Sequence, residues 1–177
     1  MIKKFLRPII FIIIISLLAI WHISAIYIWP GFLSEFNLVP IIIVSSLFFY
    51  NVKSALLASL IFGLWFDLFS FSFFGLESLS LIISIFLIYE ISRSWLTNRS
   101  IYSFLIINIL FVLFYSFTSA LLFYFSHFDA SGFFLWQKYF WLLLTYRLLW
   151  SLILSLIFFS PLTKMTKNLG PGFLDKK

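Results

Sequence analysis

The sequence predicts an all-α integral membrane protein, a bundle of six transmembrane helices with both termini in the cytoplasm. The composition is 63% hydrophobic and only 10% charged, with a mean hydropathy of +1.13, so the chain lacks the polar surface that a water-soluble domain needs. Short polar segments divide the chain into six apolar stretches, and the basic residues concentrate in alternate segments. These observations together predict the fold class.

The six stretches define the expected domain. The first covers residues 8–28 and starts at Pro8, whose fixed φ suits a first helical turn; it is too long for a signal-peptide core, so we expect it to be retained. The second, 38–50, is short, so it either crosses when tilted or extended or forms a broken or interfacial helix. The others are 54–70, 75–91, 101–125 and 139–160, with Pro161 predicted to end the last. We therefore expect a single transmembrane domain over residues 1–160 and a short basic cytoplasmic tail over 161–177.

The distribution of Lys and Arg predicts the orientation of the helices. With six crossings, ten of the twelve basic residues fall on the side that holds both termini, while Lys138 lies opposite and Arg147 lies inside the sixth stretch. Basic loops stay in the cytoplasm. The sequence thus predicts a multi-pass protein of the cytoplasmic membrane.

Several function classes are excluded or disfavoured by composition. The chain has no cysteine, which excludes thiol catalysis and disulfides, and its two histidines lack neighbours at metal-ligand spacing. The net charge of +6 is spread over loops and termini and forms no nucleic-acid-binding patch. No nucleophile has a nearby base, and no Gly-rich loop is suited to phosphate. We expect no enzyme activity, cofactor, metal or nucleic-acid partner.

The third stretch carries a carboxylate inside an apolar helix. Asp67 follows Gly63, Ser59 and Ala55 at intervals of four residues, so the acid shares one face with three small residues. Small residues line contacts between membrane helices, which predicts that Asp67 faces protein and not lipid. It is either an ion, proton or partner site or a hydrogen-bonded group that holds helices together, and we favour the second interpretation.

Arg147 is the expected partner of Asp67. A single Arg near the middle of a membrane helix costs about 2.5–3.5 kcal/mol to insert, so a counter-charge is expected. The two positions lie at depths that an extended Arg side chain can bridge, and Arg147 shares its helix face with Ser151 and Ser155.

Two further polar faces predict hydrogen bonds between helices. Both sets follow helical spacing inside apolar stretches, and such bonds are the common use of polar groups there. The two sets are Glu77, Ser80 and Ser84 in the fourth stretch and Asn108, Tyr115 and Ser119 in the fifth.

A spaced set of residues between 37 and 79 resembles a known family. In order, the set is Asn37, Pro40, Tyr50, Gly63, Asp67-Leu68, Ser70, Gly75-Leu76 and Leu79. This pattern is similar to that of MreD, a bacterial rod shape-determining membrane protein, whose hallmark is Gly-x-x-x-Asp-Leu-x-Ser followed by Gly-Leu. The chain departs from the family in having Phe71 where Gly is common and Phe86 where Tyr is common.

The resemblance implies a non-enzymatic subunit of the machinery that elongates the bacterial cell wall. The implied partners are an MreC-like bitopic membrane protein, the MreB filament, and the elongation transpeptidase and glycosyltransferase that synthesise peptidoglycan. It also implies a fold similar to the substrate-binding S-components of energy-coupling-factor transporters. That similarity supplies an alternative function, a subunit that binds a vitamin or another small molecule.

Overall fold

The computed structural model describes residues 2–28, 36–70, 73–95, 100–127 and 130–167. In those ranges the regular structure is entirely helical and includes six α-helices, as the sequence predicts for an all-α protein. A π-helical turn, Ser46–Tyr50, continues the second helix. The α-helices are α1 (Ile2–Ile28), α2 (Val39–Ser45), α3 (Val52–Phe69), α4 (Leu76–Trp95), α5 (Ile101–His127) and α6 (Ala130–Lys167).

The second helix is short and lies inside the bundle. The Asn37 side chain accepts a hydrogen bond from the Val39 backbone N–H at 2.9 Å, and Pro40 occupies the first turn, where a missing N–H costs nothing. With its π-helical turn, α2 spans about 18 Å at 1.5 Å per residue, less than the hydrocarbon core of a bilayer. Most of its side chains are buried by α3, α5 and α6. Protein therefore surrounds this interrupted helix, as the membrane requires of irregular backbone.

The remaining helices pack mainly against α3 and α5. α3 contacts α1, α2 and α4, while α5 packs between α4 and α6. Phe62 of α3, Leu81 and Ile85 of α4, and Phe104 and Phe111 of α5 are completely buried and form the centre of the core. Because α3 touches most of the other helices, a side chain on its buried face can reach several elements.

Two predicted boundaries of the last helix are wrong. Residues 130–138, expected in a loop, are the first turns of α6, and the helix passes through Pro161 to Lys167. Proline removes one backbone hydrogen bond and can kink a helix without ending it. The tail predicted for residues 161–177 is thus helical over its first seven residues, and residues 168–177 lie outside the described part.

Three helices in the described ranges are long and apolar enough to cross a membrane. They are Val52–Phe69, Ile101–Phe125 and Tyr139–Pro161, and shorter apolar helices cover Ile9–Ala25 and Val39–Tyr50. Their length and apolar composition are those of membrane-spanning helices.

Candidate functional site

The small-residue face of α3 is buried along its whole length. Ala55 and Ser59 are fully buried, Gly63 is buried, and Asp67 is 3% exposed. The Ser59 hydroxyl donates to the Leu56 carbonyl in its own helix at 2.8 Å, so it places no unpaired donor in the interface. At Gly63, this face meets Ser78 of α4.

Gly63 lies at a close approach between α3 and α4. A Cβ at this position would overlap the Ser78 Cα and would lie 2.6 Å from the Ser78 Cβ. Real Cβ atoms do not approach other heavy atoms so closely, and the neighbour here is backbone and cannot swing away. The contact therefore requires a residue without a side chain, as in other close crossings of membrane helices.

Asp67 binds the start of α4. Its Oδ1 accepts a hydrogen bond from the Glu77 N–H at 2.9 Å, and its Oδ2 accepts one from the Ser78 N–H at 3.2 Å. The first N–H groups of a helix have no partner inside it, and the helix dipole makes this end positive. A carboxylate there satisfies two donors and is itself stabilised by the positive end. Asp67 thus acts as a capping residue supplied by the preceding helix.

Gly75 makes the turn into α4 possible. Its φ is +97°, a conformation that residues with a Cβ rarely adopt. Its carbonyl accepts hydrogen bonds from the Leu79 N–H at 2.9 Å and the Ser78 hydroxyl at 3.1 Å. At the end of α3, the Ser70 N–H donates to the Phe66 carbonyl at 2.8 Å. The two helix ends and Gly75 together define the α3–α4 hairpin, whose residues 71 and 72 lie outside the described part.

A second carboxylate adjoins this hairpin. Glu77 Oε2 accepts a hydrogen bond from the hydroxyl of Tyr115 on α5 at 2.8 Å, and Tyr115 is 8% exposed. The Arg147 guanidinium on α6 interacts favourably with the Glu77 carboxylate through space. Glu77 therefore joins α4 to α5 and forms an electrostatic link to α6, while its backbone N–H is held by Asp67.

The predicted hydrogen bonds between helices are confirmed for both polar faces. Ser84 of α4 and Thr118 of α5 share a hydrogen bond of 3.1 Å between their hydroxyl oxygens. The Asn108 amide on α5 donates to the Ser151 carbonyl of α6 at 3.1 Å and also to the Ser155 hydroxyl. Ser119, the remaining member of the α5 set, lines a cavity between α5 and α6, and its hydrogen bond to another helix stays a prediction.

Arg147 lies on the wall of the same cavity, which has a volume of about 170 Å³. Its expected pairing with Asp67 stays a prediction. Arg147 lies near enough to Glu77 to act on its carboxylate through space, and both oxygens of Asp67 accept backbone N–H groups. The hydrogen bonding of Asp67 favours its interpretation as a group that holds helices together.

Sequence reasoning missed two groups at this site. Ser78 supplies one of the N–H groups that Asp67 binds, and its backbone lies against Gly63. Serine is common near helix starts, so nothing in the sequence marked this residue as part of the site. His22 on α1 is fully buried against the edge of Phe66, with ring centroids 5.9 Å apart. Asn37 is close enough to interact with the imidazole, but neither ring nitrogen has a partner in hydrogen-bonding geometry among the residues that the structure describes. The burial of His22 follows from the packing of α1 against α3.

The arrangement is suited to fixing helices in place. The described residues include no group of three or more His, Cys, Asp or Glu side chains placed to hold a metal ion. The two carboxylates of the hairpin, Asp67 and Glu77, bind backbone or side-chain partners on neighbouring helices.

Comparison with known proteins agrees with the pattern at this hairpin. A family model described as rod shape-determining protein MreD matches residues 1–166, which include the whole of the site. No curated protein and no solved structure matches the chain. The matched region is nearly the full length of the sequence, and it confirms the resemblance carried by Gly63, Asp67 and Gly75. The chain therefore belongs to the MreD family of rod shape-determining membrane proteins.

Proposed function

We propose that this protein is a non-enzymatic scaffold of the bacterial cell-wall elongation complex, resident in the cytoplasmic membrane. Family membership supports a role in determining rod shape. The single observation that carries the proposal further is the α3–α4 hairpin, in which the family's characteristic residues serve contacts between helices. A rigid hairpin presents a fixed surface to a partner, which is what a scaffold requires.

The proposed direct partner is an MreC-like bitopic protein, whose single membrane helix docks against apolar helix faces of this bundle. α4 offers such a face, with Leu79, Ile83 and Phe86 between 39% and 57% exposed. Through this partner, the protein would be connected to the MreB filament and to the transpeptidase and glycosyltransferase that synthesise peptidoglycan. The basic carboxyl-terminal residues would lie near anionic lipid on the cytoplasmic side.

The proposed topology has six crossings with both termini in the cytoplasm. The Lys and Arg distribution supports it, because ten of the twelve basic residues then lie on the cytoplasmic side. Aromatic side chains suited to the outer interface are exposed at Trp21, Tyr139 and Trp141. The crossing formed by α2 is unusually short and includes a π-helical turn. Because α2 is buried within the bundle, its irregular backbone is not exposed to lipid.

The alternative, a small-molecule carrier similar to the S-components, has weaker support. Pockets for ligands of drug size usually measure about 300–1,000 Å³. The cavity between α5 and α6 measures about 170 Å³, too little for a vitamin-sized molecule. The scaffold therefore accounts better for the part of the chain that the structure describes.

Co-purification with the MreC-like protein of the same bacterium tests the proposal. The variants are Asp67→Ala, which frees two N–H groups of α4, and Gly63→Leu, which forces α3 and α4 apart. Leu60→Ala is the matched control, since Leu60 also lies on α3, is 45% exposed and is not among the family's characteristic residues. We expect wild type and the control to retain the partner, and both hairpin variants to lose most of it at equal membrane abundance.

Retention of the partner by a correctly inserted Gly63→Leu protein would contradict the hairpin as the organiser of the docking surface. Absence of the partner from the wild-type preparation, under conditions that preserve other membrane complexes, would contradict the proposed direct contact.

A further inference from the structure

The cavity between α5 and α6 has buried walls and an exposed end. Three of the residues that line it, Ser116, Ala120 and Leu144, are buried, whereas Phe123 is 43% exposed. Phe123 lies toward the carboxyl end of α5, and Phe140, which also lines the cavity, lies toward the amino end of α6. In the proposed topology these are the outer ends of the two helices, so the cavity opens toward the outer face of the membrane.

Arg147 is the charged residue of the cavity wall. It follows Phe140 by two turns of α6, which places it about 10 Å further from the open end at 1.5 Å per residue. Side chains of a helix lean toward its amino terminus, so Arg147 extends back along the cavity toward the opening. Long cationic side chains of membrane helices usually extend in this way toward water. For Arg147, the path to water runs between two helices of the protein.

A guanidinium inside a membrane needs several hydrogen-bond acceptors. Arg147 acts on the Glu77 carboxylate through space, but its five N–H donors form a fork of which one carboxylate can accept only a part. Ionised side chains inside membrane proteins face other polar groups or a water-filled cavity. Water is therefore a suitable further acceptor on the side of Arg147 that faces the cavity.

The size and lining of the cavity suit water. A water molecule occupies about 30 Å³ in the liquid, so about 170 Å³ holds on the order of five molecules. Cavities lined only by apolar side chains stay dry, but this wall includes Arg147 and also Ser119, which is partly exposed. Waters that enter past Phe123 can thus hydrogen-bond to polar groups along the cavity.

We propose that this cavity is an aqueous cleft, which admits water from the outer face of the membrane between α5 and α6 and holds a short chain of water molecules that ends at Arg147. The bound water hydrates the guanidinium near the middle of the membrane-spanning segment, where it acts on Glu77. The cleft depends on the proposed topology and does not require the proposed partner.

Radiolytic footprinting of the protein in lipid nanodiscs tests the cleft, with water itself as the probe. X-rays convert water into hydroxyl radicals, which oxidise the side chains beside it. Leu143 lines the cavity, whereas the adjacent Leu142 does not line it and is 48% exposed on the surface of the bundle. The two residues share their chemistry and nearly their depth. We expect Leu143 to be oxidised roughly fivefold faster or more, although it is the less exposed of the two.

Three variants locate the water. Ala120→Leu fills the cavity, which Ala120 lines, and Ala120→Ser is the matched control that leaves it open. We expect oxidation of Leu143 to fall several-fold in Ala120→Leu and to keep its wild-type rate in Ala120→Ser, with Leu142 unchanged in both. Arg147→Met keeps an unbranched side chain without the charge, and it should also slow the oxidation of Leu143, because the cavity then loses its strongest polar group.

Oxidation of Leu143 no faster than that of Leu142 in the wild-type protein would overturn the proposal, whether or not the variants fold. Equal oxidation of Leu143 in folded Ala120→Leu and Ala120→Ser would overturn it as well. Phe123→Cys tests the direction of the opening and should react with a membrane-impermeant maleimide in intact spheroplasts. Reaction only after lysis would overturn the outward opening. None of these results depends on whether an MreC-like partner binds.

Discussion

At the scale of single residues, the chemistry of Asp67 follows from its position at a helix start. A carboxylate surrounded by hydrocarbon is costly, but at this site it receives two N–H groups and the positive end of the α4 dipole. The α4 N–H groups would otherwise be unsatisfied in an apolar environment, at a cost of several kcal/mol each. The acid and the helix end therefore stabilise each other.

Replacing Gly63 or Gly75 is predicted to destabilise the protein, for a different physical reason at each position. Gly63→Ala adds a methyl group against the Ser78 backbone, and overpacking of this kind costs about 1–3 kcal/mol. Gly75→Ala meets nothing within 4 Å, but its φ of +97° costs about 1–2 kcal/mol for a residue with a Cβ. We expect both to lower the free energy of unfolding, measured by denaturant titration in detergent micelles.

A second substitution separates the two mechanisms. Gly75→Asn should recover part of the loss, since Asn tolerates positive φ better than Ala, whereas Gly63→Asn should be worse than Gly63→Ala because it is larger. Equal effects of Ala and Asn at both positions would contradict this explanation.

The sequence predicted part of this chemistry. The four-residue spacing from Ala55 to Asp67 is local to one helix, so it correctly placed the acid among small residues. The partners of Asp67 are backbone amides ten and eleven residues further along, brought near by the Gly75 turn. Backbone amides leave no side-chain pattern in a sequence. The sequence therefore predicted a charged partner for Asp67, Arg147, and not a helix end.

At the scale of helices, polar side chains hold α4, α5 and α6 in register. Glu77 and Tyr115 join the first two, and Asn108 joins α5 to α6. Hydrogen bonds between membrane helices contribute about 0.6–2 kcal/mol each, so none of them alone determines the fold. Their effect is to select one relative position among many that apolar surfaces permit.

Tyr115→Phe tests one of these contacts. The change removes the hydroxyl and leaves the Glu77 carboxylate without its phenol partner, so we expect a loss of about 1–2 kcal/mol in the free energy of unfolding. Tyr102→Phe on the same helix is the control, because Tyr102 is 74% exposed and should tolerate the change. The same loss in both variants would show that the Glu77 contact contributes nothing specific.

Helix boundaries were harder to predict than helix faces. The apolar segments of α5 and α6 agree closely with the predicted stretches, since hydropathy reports the membrane-crossing part directly. The ends of α6 extend beyond that part, through aromatic residues at one end and past Pro161 at the other. Backbone hydrogen bonding continues there regardless of hydropathy, and a single proline does not prevent it.

At the scale of the whole molecule, the proposed topology has α3 cross the membrane. The helix spans about 27 Å at 1.5 Å per residue, close to the thickness of the hydrocarbon core. In that topology its first turn would lie on the cytoplasmic side and the Gly75 turn on the outer side.

Labelling of introduced cysteines tests this crossing, and the absence of natural cysteines provides a clean background. Lys53→Cys places a thiol at an exposed position in the first turn of α3, and Phe73→Cys places one at an exposed position beyond the other end of the helix. We expect a membrane-impermeant maleimide to label Phe73→Cys in intact spheroplasts, and Lys53→Cys only after lysis. Labelling of both before lysis would contradict the proposed topology.

The central claim is that Asp67 holds the start of α4, and amide hydrogen exchange measures this most directly. In the wild-type protein and in Leu68→Ala, the Glu77 and Ser78 amides should be protected by the carboxylate. In Asp67→Ala, these amides should exchange roughly tenfold faster or more, while the amides in the middle of α5 keep their wild-type rates. Unchanged protection of Glu77 and Ser78 in Asp67→Ala would contradict the claim.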